Sequence, residues 1–130
     1  MPPEGPTPFR AWLAVGAWMA VTLILSTFPV EDLQPNVANA DKFGHAAVYA
    51  VLGFLCGVAW QRHGSSHSAV VERAMALVLL FGALMEYLQS LVGRDPSMGD
   101  WIADGIGGLI GVLFWKAWRI AMDRRVEQPG

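Results

Sequence analysis

Apolar positions fall into four runs, residues 11–28, 43–60, 74–92 and 101–118, separated by short segments rich in polar residues, proline and glycine. A membrane-spanning helix needs about 20 mostly apolar residues, with a range of about 17–25. The runs hold 18, 18, 19 and 18 residues, so each is long enough. No alternation of apolar and polar positions competes as a strand pattern. In lipid a helix satisfies its own backbone within one segment, which makes helix the expected state. The pattern predicts an all-α polytopic membrane protein with four transmembrane helices in a compact bundle. The bundle should occupy 9–120, with short polar tails at 1–8 and 121–130. Loops are expected at 29–40, around Pro35, at 61–68, around Gly64, and at 93–99, around Pro96.

The first run could instead belong to a cleaved signal peptide, with Arg10 ahead of it and Ala38-Asn39-Ala40 resembling a cleavage site. It is longer than the usual apolar core of about 7–15 residues. The cleavage-like motif also lies well beyond Phe28, so a first transmembrane helix is expected.

Composition supports the membrane reading. Hydrophobic residues make up 54% and charged residues 15%, against roughly 25% charged in soluble domains. Mean hydropathy is +0.38. A net charge of -2 without a basic run excludes a nucleic-acid binder. The single cysteine, Cys56, excludes an intrachain disulfide and sits mid-run, where it should pack as a small apolar residue. No Cys/His cluster has the spacing of a structural zinc site.

Charge also gives an orientation. Arg10, Arg62, Arg73, Lys116, Arg119, Arg124 and Arg125 fall on the side of the termini, and only Lys42 and Arg94 on the other. The positive-inside rule then puts both termini in the cytoplasm. Trp12, Trp60, Trp115 and Trp118 should lie near the inner interface and Trp101 near the outer one, while Trp18 lies deeper and should pack.

The candidate chemistry gathers at the outer ends. Asp41, His45 and Tyr49 are four apart and share a helical face descending about 6 Å per step. Glu86 and Gln89 share a face of the third helix. Glu86 lies about two turns from Arg94, which suits an ion pair or a shared anionic ligand. Ser97, with Asp100 three residues later, reads as an N-cap. Asp104 is one turn further in and has no capping explanation. Gly107 and Gly111 form a small-residue packing motif that would draw Asp104 towards its neighbours. Ionisable groups within apolar runs are functional candidates by default.

Asp41, Lys42, His45, Tyr49, Glu86, Gln89, Arg94, Ser97, Asp100, Asp104, Gly107 and Gly111, in this order and spacing, resemble the VanZ-like membrane protein family. The resemblance covers about residues 10–115 and departs from the commonest pattern in having Asp104 where asparagine is usual. It implies a small bacterial membrane protein of the cell envelope. The founding member is linked to low-level resistance to the glycopeptide teicoplanin.

Three functions compete. The favoured one is binding of a lipid-linked or anionic envelope molecule in an outward pocket between the second, third and fourth helices. Asp41, Lys42, His45, Tyr49, Glu86, Gln89, Arg94, Asp100 and Asp104 would supply contacts, with membrane lipids as partners and an oligomer allowed. An intramembrane hydrolase or transferase is the alternative, with His45, Glu86 and Asp104 as catalytic candidates. A scaffold role explains the glycines but not the charges. No cofactor is expected, although Asp41, His45, Glu86 and Asp100 are chemically able to ligate a divalent metal.

Overall fold

The computed structural model describes residues 7–27, 40–128 and 130. Four helices follow in order: α1 Pro8–Thr27, α2 Ala40–Gln61, α3 His67–Leu91 and α4 Met98–Glu127. There is no strand among the described residues. All four helices are long and apolar enough to cross a membrane, as the pattern predicts. The expected 29–40 loop and the Ala38-Asn39-Ala40 motif lie outside the described residues, Ala40 excepted, as does the tail before Thr7.

Local chemistry sets the helix ends. Ser66 caps α3 by accepting the Ala69 N–H, and Ser97 caps α4 by accepting the Asp100 N–H at 3.3 Å. Each satisfies a donor that has no partner in the first helical turn. After α3 the chain turns through Gly93 at φ +82°, a conformation that glycine adopts without a Cβ penalty. That turn lets the Arg94 N–H return to the Gln89 carbonyl at 3.0 Å.

Two boundaries differ from expectation. Helix α3 begins at His67, about two turns before the apolar run, because Glu72 and Arg73 stay exposed there and do not limit the helix. Helix α4 continues to Glu127, so 121–127, expected as tail, is helical. Its 30 residues span roughly 45 Å, more than the roughly 30 Å hydrocarbon core. The excess, 121–127, is exposed and rich in charge, and Asp123 pairs back to Arg119 at 3.2 Å, a spacing that supports helix in water.

Helices α2 and α4 make the most extensive interface. A methyl group on Gly107 would overlap the Ala46 carbonyl, and one on Gly111 the Ala50 carbonyl. The expected packing motif is therefore in place, and α2 answers it with Gly53 against the Gly108 backbone and Gly57 against the Trp115 ring. The pairings climb both helices together, so α2 and α4 run parallel. Helix α3 covers this pair, with Val78 against Gly108. Helix α1 buries only Ala11, Val15 and Thr22.

Cys56 is fully buried and packs in the core, as expected. Trp115 does not belong to an interfacial belt. It is fully buried and its Nε1–H donates to Gln61 Oε1 at 3.1 Å, because the α2 glycine beside it makes room for the indole. Large apolar side chains such as Leu80, Leu84, Ile106, Ile110 and Phe114 remain exposed around the bundle. A patch of that extent is costly in water and suits lipid.

Candidate ligand-binding site

The polar side chains of α2, α3 and α4 meet at the end of the bundle where α2 and α4 begin. Three pairings organise them. His45 Nδ1–H donates to Asp104 Oδ1 at 2.8 Å. Lys42 Nζ contacts Asp100 Oδ1 at 3.2 Å. Glu86 Oε2 accepts the backbone N–H of Ser97 at 2.8 Å. The first two lie on the parallel α2–α4 seam, directly continuing its glycine contacts. Gly99 gives the Lys42 stem its path, since a Cβ there would sit 3.3 Å from Lys42 Cε. Gly82 does the same for Asp104, whose Oδ2 would lie 3.1 Å from an added Cβ.

Asp104 is fully buried, and Glu86 is nearly so at 9% exposure. Asp104 Oδ2 and Glu86 Oε1 have no hydrogen-bond partner among the described residues. Carboxylate oxygens in that condition are costly, and native structures rarely leave them so without a reason.

Beside this cluster lies a cavity of about 260 Å³ between α1 and α2, closed by the end of α3 and the turn after it. Its outer part is lined by Leu25, Ser26, Asp41, His45, Gln89 and Arg94. Its deep part is lined by Trp18, Val21, Thr22, Val48, Tyr49 and Met85. From Asp41 to Val48 the cavity descends roughly 10 Å along α2. Arg94 Nη1–H donates to the Ser26 carbonyl at 3.0 Å near the end of α1. Trp18 Nε1–H donates to the Val48 carbonyl at 2.9 Å at the deep end.

These positions refine the sequence expectations residue by residue. Asp41, His45, Tyr49, Gln89 and Arg94 come together around one cavity. Lys42 and Asp100 do not line it, because they engage each other. Glu86 faces a separate depression of about 490 Å³ with Pro96, Ser97, Met98 and Trp101. Asp104 stands behind His45. The expected Glu86–Arg94 ion pair does not form: the unpaired N–H of the α4 cap takes the carboxylate, and the guanidinium turns to α1. The pocket expected between α2, α3 and α4 is instead walled by α1, α2 and α3, because the glycine contacts close the α2–α4 gap.

Helix α1 is the part that sequence reasoning missed. Trp18, Thr22 and Ser26 line the cavity at a spacing of four. That polar stripe, within an apolar run that carries no charge, was the available signal.

The sequence model of the VanZ/LLP1 family matches residues 9–119. The chain belongs to the VanZ/LLP1 family. The match takes in all four helices up to the charged end of α4, and with it every residue of the cluster and the cavity. No curated protein and no solved structure matches the chain.

Proposed function

We propose that this VanZ-like membrane protein binds an amphiphilic envelope molecule with an anionic headgroup in the α1–α2 cavity. The observation that carries the reading is that charged and polar groups, Arg94, Asp41, His45 and Gln89, line the outer part of the cavity, while Trp18, Val21, Val48 and Met85 supply a mostly apolar wall deeper in. A guanidinium can hold a phosphate or carboxylate bidentately. With Lys42 committed to Asp100, Arg94 is the cationic side chain lining the cavity. His45, Tyr49 and Gln89 would orient hydroxyl or amide groups of the headgroup, and the apolar wall would receive its hydrocarbon. The seven-to-two bias of basic residues supports termini in the cytoplasm, with the Arg94 part of the cavity outward. A part in glycopeptide tolerance belongs to this reading only where the ligand is a lipid-linked envelope precursor.

Native mass spectrometry of protein exchanged into phosphatidylglycerol or phosphatidylcholine tests it. Wild type should retain one phosphatidylglycerol in preference to phosphatidylcholine. Arg94→Ala should weaken retention at least about tenfold, the loss of one charge-assisted contact. Gly44→Leu should do the same by filling the cavity, since a Cβ there meets nothing within 4 Å. Equal retention of both lipids by all three proteins would contradict the proposal.

The 2.8 Å His45–Asp104 hydrogen bond favours a second reading, an intramembrane hydrolase or transferase. A buried carboxylate that fixes an imidazole at a cavity wall is the arrangement of a general base with its orienting acid. Under this reading His45→Ala keeps the bound lipid but abolishes its conversion.

A further inference from the structure

We propose that His45, Glu86 and Asp104 form a binding site for one divalent transition-metal ion. One donor atom from each lies within 4.8 Å of the other two. Around an ion with bonds of about 2.1 Å, donors stand roughly 3.4 Å apart. Ligation through His45 Nδ1 would release the proton of its hydrogen bond to Asp104 Oδ1, so the ion would replace that bond. The three residues come from α2, α3 and α4, so the site is held by three packed helices.

Two independent observations point to a cation there. Asp104 Oδ2 and Glu86 Oε1 are buried oxygens without a hydrogen-bond partner among the described residues. Neither nearby cationic side chain pairs with these two carboxylates: Lys42 contacts Asp100, and Arg94 directs one N–H to the Ser26 carbonyl. A metal ion would satisfy both orphan oxygens and offset two carboxylates at once. The Ser97 N–H that binds Glu86 Oε2 would then act as an orienting contact of the kind that fixes ligating carboxylates.

Chemistry narrows the ion. One imidazole with two carboxylates suits zinc, manganese or ferrous iron; calcium prefers six to eight oxygens, and magnesium keeps its waters. Three protein ligands leave at least one coordination position open. His45 lines the α1–α2 cavity and Glu86 the depression under the α3–α4 turn, so the ion would sit in the wall between them. The ligand set differs from the one sequence suggested: Asp41 and Asp100 drop out and Asp104 enters. The inference stands whether or not the cavity binds a lipid.

The test uses the full chain, stripped with chelator in detergent and returned to Zn²⁺ or Mn²⁺. Elemental analysis should find one ion per chain after desalting. Glu86→Gln and Asp104→Asn, both close in shape to the native residues, should each weaken binding at least about tenfold. A His63→Ala/His67→Ala double variant, which removes the histidines around the α2–α3 turn, should bind like wild type. The site is overturned if wild type retains no stoichiometric ion, or if both carboxylate variants match it. Should a carboxylate variant fail to fold, the pulsed paramagnetic spectrum of Mn²⁺ bound to the His63→Ala/His67→Ala variant, in which His45 is the one histidine left, decides alone. Nitrogen coupling from one imidazole supports the site, and its absence overturns it. Lipid retention is read separately, so failure here leaves the cavity proposal standing or falling by its own measurement.

Discussion

The α2–α4 seam and the α1–α2 boundary are built from different materials. Along the seam, glycines on both helices bring backbone against backbone, and the pairing runs on without a break into Lys42–Asp100 and His45–Asp104. At the α1–α2 boundary, Trp12 stacks edge-on against Trp60 at one end, with centroids 4.9 Å apart. Trp18 reaches across to the Val48 carbonyl, and beyond it a cavity opens. Helices in lipid gain little from burying apolar surface, so close packing and hydrogen bonds must hold them. A seam with a glycine at each close approach closes tightly, even around the Trp115 ring. A boundary propped by indoles leaves space where the indoles end. The three-helix core therefore positions the polar cluster, and α1 walls in the room beside it.

Substitutions can break this contrast, and the largest effect belongs to the seam. Gly111→Leu would drive a side chain into the Ala50 carbonyl. Overpacking there should cost about 3 kcal/mol, the upper end for such changes because the clash is with backbone, and the protein should unfold at a much lower temperature in detergent or fail to accumulate. A mild effect would mean that α2 and α4 are not locked together. Trp18→Phe removes the hydrogen bond to Val48 and part of the α1 contact. It should cost about 1 kcal/mol, seen as a small fall in the unfolding midpoint, with the core helices unaffected in hydrogen exchange. Should it destabilise as much as Gly111→Leu, α1 would be part of the core and not a wall.

Much of the fold was legible because lipid imposes a simple rule on long apolar runs. The Gly107/Gly111 motif and the Ser97 cap were also readable, since each follows from local spacing. Partner choice was less so. Glu86 faces Ser97 and not Arg94, because an uncapped backbone donor lies nearer than the guanidinium, and sequence spacing carries no sign of it. The pocket's location depended on Gly53 and Gly57, which answer the α4 glycines from a helix where they read as unremarkable. Trp115 looked interfacial by depth but is core by rotation. Asp104, which no capping rule explained, proved to be the buried partner of His45.

Site-specific photocrosslinking in native membranes tests the central claim most directly, that an amphiphile occupies the space between α1 and the core. Position 44 lines that space and has room for a photoreactive side chain, whereas position 51, exposed on α2 away from it, reports bulk lipid. Anionic, phosphate-bearing lipid should be several-fold enriched among adducts from position 44 over those from position 51. The same lipid composition at both positions would contradict the account.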